Sequence, residues 1–281
     1  MSLSWTGGER IQKLPKLVQP LAVLTRNLIQ LSRPLTTRPQ AKFKAQTDPK
    51  VFEYRNPGEI HYRESRIEVY KKLAFGVEGV CENGVEGDVA EFGTGSGSTA
   101  RVMACAISEF DRGQNGAPRK LHLFDSFQGL PDAETETDQE SPLVKSGVWG
   151  KGSCIGASKD QLMKFCAKFL SEERVVIYDG WFKDTLPQIP QGTKFAMINI
   201  DCDLYQSAIE VLDYIFSQGF VQEGTYIFFD DWNCNRASSA FGERRAWSEV
   251  EEKFAITYTD CGEYGRDGRK FIIHSYDQVG K

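Results

Sequence analysis

Histidine is nearly absent: the 281 residues include only His61, His122 and His274. No cysteine pair has CxxC spacing, so the grouped nitrogen and sulfur ligands of a zinc centre are missing. The seven cysteines (81, 105, 154, 166, 202, 234 and 261) are odd in number and scattered. That pattern reads as reduced thiols in a cytoplasmic protein rather than a disulfide framework. No apolar run approaches the ~18 residues needed to span a membrane. The stretch LVQPLAVLTRNLIQL is broken by Gln19, Pro20, Arg26 and Asn27, which leaves no clean secretory core. Positive charge is not in excess either. With 34 Lys and Arg against 39 Asp and Glu, the net charge of -5 argues against nucleic-acid binding by bulk charge. Internal repeats are also lacking.

What remains is an ordinary globular composition, 40% hydrophobic and 26% charged, which expects a soluble protein. Two regions stand apart. Residues 1–60 form an N-terminal basic arm: nine Lys or Arg within the first 50 residues face only Glu9 and Asp48. Leu21, Leu24, Leu28 and Leu31 repeat there at helical spacing. Such an arm is expected to pack on the core, close over it or meet a second subunit, which leaves a homodimer open. From residue 61 to 281 helices and strands alternate. The expected strands are DVAEF, LHLFDSF, VVIYDG, KFAMINID and TYIFFDD, with a closing pair within residues 254–276. Helices are expected over RESRIEVYKKLAFGVEGV, STARVMACAISEF, SKDQLMKFCAKFL (with Ser158 as cap) and SAIEVLDYIFSQG. The pattern implies an α/β fold with a mostly parallel sheet, helices on both faces and an antiparallel C-terminal edge. The acidic stretch PDAETETDQESP, 131–142, reads as a solvated loop or as a mobile lid.

EFGTGSGST follows a strand and opens a helix, so Gly93, Gly95 and Gly97 sit where the backbone turns tightly and approaches a ligand. No GK[ST] follows, which excludes a P-loop, and the third dinucleotide position is Ser98 instead of glycine. Glu91, just before the turn, suits a cationic ligand better than a pyrophosphate. S-adenosylmethionine, with its sulfonium and ammonium, meets that description. Asp125 and Asp179 end the next two strands, where a carboxylate can accept ribose hydroxyls. The plainer alternative is a tight turn with acids in ordinary loops.

Two later strands also end in acids: Asp201 and Asp203 in NIDCD, Asp230 and Asp231 in FFDDW. Brought to one sheet edge, unpaired carboxylates repel one another, whereas hard oxygens on rigid strand ends suit Mg²⁺, Mn²⁺ or Ca²⁺. A simple turn capped by Asp231 is the alternative.

These stretches together resemble the macrocin O-methyltransferase family. The matching pieces are GVEGDVAEFG, LFDSFQGLPDA, DGWFKDTLP, IDCDLYQSAIEVLDYIF and FFDDW, over roughly residues 60–250. The resemblance implies the class I methyltransferase fold and S-adenosylmethionine- and Mg²⁺-dependent methylation of sugar hydroxyls on glycosylated small molecules. It implies Asp201, Asp230 and Asp231 as metal ligands. Glu91, Gly93, Asp125, Ser126 and Asp179 would line the cofactor site, with Thr94, Gly95, Ser98 and Gly180 completing it. The chain departs from the family with GTGSGST, DCDLYQS and DDW, for a GVWRGGS-like turn, DGDLYES and DDY. In similar catechol-type enzymes a lysine three residues after the first metal aspartate is the base; here Leu204 stands there. Asp201 then acts in catalysis with Asp203 as the expected base. An NAD-linked oxidoreductase or epimerase, opposed by Ser98 and the lack of a YxxxK pair, and a non-catalytic scaffold are the competing readings.

Overall fold

The computed structural model describes residues 57–113 and 117–278. Seven strands form one sheet: β1 (Asp88–Phe92), β2 (Leu121–Asp125), β3 (Val175–Asp179), β4 (Phe195–Ile200), β5 (Tyr226–Phe229), β6 (Thr257–Tyr264) and β7 (Gly268–Ser275). Their spatial order is β3-β2-β1-β4-β5-β7-β6. The first five run parallel, and β7 and β6 close the edge antiparallel. The order reverses between β1 and β4, so the ligand crevice of this open sheet lies at their C-terminal ends.

The helices are α1 (Pro57–Glu82), α2 (Ser98–Phe110), α3 (Glu136–Glu140), α4 (Pro142–Lys145), α5 (Lys159–Cys166), α6 (Phe182–Thr185), α7 (Tyr205–Ser217) and α8 (Gly242–Lys253). Alternate strand residues serve opposite faces. Val89, Leu123, Met197 and Phe228 pack with Leu73 and Val77 of α1, Met103 of α2 and Leu162 of α5. Phe92, Phe124, Ile200 and Phe229 pack with Val211 and Ile215 of α7 and Trp247 and Val250 of α8. Burial on both faces explains why these strands read as nearly unbroken apolar runs. Among the described residues no helix is long and apolar enough to cross a membrane.

Three local features differ from expectation. Up to residue 56 the basic arm lies outside the described residues, and the boundary expected at 60/61 falls inside α1, which starts at Pro57. Proline suits a first helical turn, whose N–H groups have no partner within the helix. Helix α8 has no counterpart among the expected elements.

The third difference is the acidic stretch, which folds into α3 and α4 rather than staying a solvated loop. Asp138 is 1% exposed. Its Oδ1 accepts the Tyr205 N–H at 2.8 Å and its Oδ2 the Gln206 N–H at 3.0 Å. Leu204, at the cap position of α7, has no side chain to do this. An acid from another segment therefore satisfies the open amides of the first turn, where negative charge is also favoured by the helix dipole. The Gln206 side chain adds a second clasp, accepting from Glu134 N and donating to Asp132 O, both at 2.8 Å. Asp138→Ala is expected to cost about 1–2 kcal/mol, as loss of a helix cap does. That corresponds to a melting temperature lower by about 2–8 °C in a domain of this size. An unchanged thermal melt would show that the cap contributes nothing.

Candidate active site

The site starts from backbone pairing at the crevice. The β1–β4–β5 ladder continues one residue past the strands: Asp201 N–H donates to Phe92 O at 2.9 Å and Asp230 N–H to Ile200 O at 3.0 Å. Asp201 and Asp230 are thereby held on adjacent strand ends. Gly93 turns the chain out of β1 with φ 86°, and a Cβ there would stand 1.8 Å from the Asp201 carbonyl oxygen. The glycine turn and the first acidic loop are in backbone contact.

Asp125 fastens the other side of the turn. Its Oδ2 accepts from Thr94 N at 2.8 Å, Thr94 Oγ1 at 2.9 Å and Gly95 N at 3.2 Å. Oδ1 accepts from Phe127 N at 2.7 Å. Expected as a ribose acceptor, Asp125 is engaged mainly with backbone in this conformation. Ser126 likewise shapes its own loop, donating to Gly129 O at 3.0 Å. Ser98 Oγ lies 2.8 Å from Ser96 Oγ at the start of α2. That helix has no side-chain cap and no acid in its first turn, so its leading N–H groups face the turn unmatched by a side chain. Asp179 is exposed and 3.5 Å from Lys159 Nζ, while Gly180 N–H donates to Asp125 O at 3.0 Å. The segment before α5 closes over the turn: Ala157 N–H donates to Gly95 O at 2.8 Å.

Glu91 lies beneath the turn, fully buried, with Oε1 accepting from Asn199 Nδ2 at 3.0 Å and Oε2 without a partner. Burial pushes its pKa up to about 8, against the opposing hydrogen bonds of Thr99 and Asn199. Expected as an acid that favours a cationic ligand, Glu91 is here buried and bonded to Asn199.

The four aspartates lie close enough to feel one another's charge. Asp201, Asp203, Asp230 and Asp231 are each partly buried. Burial, then the neighbouring acids, hold Asp201, Asp203 and Asp231 well above the usual carboxylate range. Burial also raises Asp230, against the pull of Arg66. Asp203 has φ 61°, a left-handed conformation that Asp tolerates better than most residues. Asp231 Oδ1 accepts from Cys234 Sγ at 3.2 Å, and its buried Oδ2 has no partner. The hard-oxygen donor set and the orphaned Oδ2 suit a divalent cation. In this arrangement, though, no group of three His, Cys, Asp or Glu among the described residues converges closely enough to hold one. Asp230 instead faces Arg66, whose Nη1 is 3.5 Å from Oδ2.

Two contributors had no visible sequence signal. Glu243, at the start of α8 and 1% exposed, accepts from Asp231 N at 3.0 Å and Cys202 N at 3.5 Å, so one carboxylate braces both acidic loops. Arg66 arrives from α1, 164 residues before its partner. His122 takes no part: its ring is bound to Tyr178 Oη at 3.1 Å and Asp88 Oδ2 at 2.9 Å.

A family model described as macrocin-O-methyltransferase (TylF) matches residues 62–261. The demethyldecarbamoylnovobiocin O-methyltransferase of Streptomyces niveus is 30% identical over 190 residues, 67% of this chain and 69% of that protein. The 8-demethyl-8-(2,3-dimethoxy-alpha-L-rhamnosyl)-tetracenomycin-C 4'-O-methyltransferase of Streptomyces olivaceus is 28% identical over 178 residues, 62% of this chain and 63% of that protein. Among solved structures, the O-methyltransferase NovP aligns with a TM-score of 0.62 at 27% identity, over 74% of this chain and 81% of its own.

Proposed function

The chain belongs to the macrocin-O-methyltransferase (TylF) family of S-adenosylmethionine-dependent O-methyltransferases, and on that premise we propose that it methylates a sugar hydroxyl of a glycosylated small molecule with the help of a divalent cation. The observation that carries this reading is the contact of Gly93 with Asp201: it joins the cofactor turn to the acidic loops at the switch point of the sheet. The relatives act on novobiocin- and rhamnosyl-tetracenomycin-type compounds by name, which supports a sugar-bearing acceptor. Family membership sets aside the NAD-linked alternative.

S-adenosylmethionine supplies the methyl group from its sulfonium. In this reading the turn from Gly93 to Gly95, the start of α2 at Ser98, and the loops at Ser126, Asp179 and Gly180 position it. Thr94 and Asp125 keep that turn closed, and Glu91 supports it from below. Asp201, Asp230 and Asp231 would hold the cation, which lends Lewis-acid polarisation and positioning to a weakly acidic hydroxyl. Asp203, on a rigid bend beside them, receives the hydroxyl proton as general base. A cation held by Asp201, Asp230 and Asp231 would favour the ionised form of Asp203 that this step needs.

Calorimetry with S-adenosylmethionine, followed by a mass-gain screen of glycosylated acceptors in Mg²⁺ and in EDTA, tests each part. Binding of S-adenosylmethionine, a mass gain of one methyl group and loss of turnover in EDTA are expected. Failure to bind S-adenosylmethionine would end the reading, and equal turnover in EDTA would remove the cation from it.

A further inference from the structure

We infer that Arg66 is a resident counter-cation that competes with a divalent cation for Asp230 and so sets the affinity of the acidic cluster for metal. The inference rests on the metal site proposed above. Among the side chains described from residue 65 onward, Arg66 is the one Lys, Arg or His within ion-pair distance of Asp201, Asp203, Asp230 or Asp231. Arg266, which also acts on Asp230 and Asp231, is paired with its neighbour Asp267.

The geometry marks the contact as one that can be given up. Charge-assisted N–H···O bonds usually measure about 2.7–2.9 Å, and this one is single and 3.5 Å long. The same guanidinium also lies 5.5 Å from the centre of the Tyr70 ring, a contact that holds the cation independently of Asp230. A guanidinium is not deprotonated in proteins, and Arg66 sits against Asp230. It therefore stays charged, and a metal ion cannot reach Asp230 without facing that charge. Like charges a few ångströms apart in a half-buried site repel strongly. A divalent cation that takes Asp230 must displace this contact, leaving Arg66 on Tyr70.

The test is Mn²⁺ binding, followed by calorimetry and by the loss of the free-ion EPR signal, in wild type, Arg66→Gln and Arg66→Lys. Gln removes the charge and is expected to tighten Mn²⁺ by roughly tenfold or more. Lys keeps the charge and is expected to stay within about threefold of wild type. Thermal melts add a reading independent of turnover. Arg66→Gln should melt lower than wild type without metal and gain more from saturating Mg²⁺. Equal Mn²⁺ affinity in wild type and Arg66→Gln, or equal tightening in both variants, would overturn the competition while leaving the metal site standing. No Mn²⁺ binding by any of the three proteins would overturn the metal site and this inference with it.

Discussion

Asp201→Asn is expected to give a folded protein that binds S-adenosylmethionine almost as wild type does but transfers methyl groups about 10²–10⁴-fold more slowly, the scale on which positioned proton-transfer and charge-stabilising groups act. Asparagine preserves the shape of the side chain, and the backbone bond from residue 201 to Phe92 is unaffected. The site loses one carboxylate from a crowd that includes Asp203, Asp230 and Asp231. Relief of that repulsion works in favour of the fold, so the variant should melt higher by a few degrees, about 1 kcal/mol at this size. Opposite signs in stability and turnover identify an acid retained for chemistry. Steady-state rates and a thermal melt decide it, and wild-type turnover would remove Asp201 from the mechanism.

Gly93→Ala is the second large effect, and it acts through the backbone. Position 93 has φ 86°, and its new methyl group would fall 1.8 Å from Asp201 O and 2.9 Å from Asp201 C. Neither a rotamer change nor a flexible side chain can relieve a clash with main chain. Left-handed strain of about 1–2 kcal/mol adds to overpacking of about 1–3 kcal/mol, for a loss of about 2–5 kcal/mol. Because the clash lies between cofactor turn and acidic loop, calorimetry should show weakened S-adenosylmethionine binding alongside lost turnover. Gly262→Ala is the control, since position 262 also has a positive φ (83°) and a Cβ there meets nothing within 4 Å. Equal damage from both would mean that glycine flexibility, not the contact with Asp201, is what matters.

Much of this arrangement was legible because it is local. DVAEF is β1 residue for residue, and Ser158 caps α5 in a capping box with Gln161. Asp201 and Asp230 stand directly after β4 and β5, as buried strands ending in acids imply. What escaped the sequence are contacts between distant segments. The engagement of Asp125 with Thr94 and Gly95 depends on how β1 and β2 come to lie side by side, which no spacing records. Helix α8 carries a narrow stripe of Ala246, Trp247 and Val250 in an otherwise polar run that opens with Gly242. The segment as a whole is too polar to announce it, and Glu243 was hidden with it. The acidic stretch misled because charge usually marks solvated chain, whereas Asp138 is spent inside on the amides of α7.

That borrowed cap has a practical meaning for recombining this enzyme with its relatives. Residues 131–145 and the start of α7 trade five hydrogen bonds through Asp138 and Gln206. They are thus one cassette despite the 67 positions between Asp138 and Tyr205. A chimera that imports a foreign 131–145 segment without its matching helix start would leave two amides bare right after Asp203. The crossover points for swapping acceptor preference belong outside both halves.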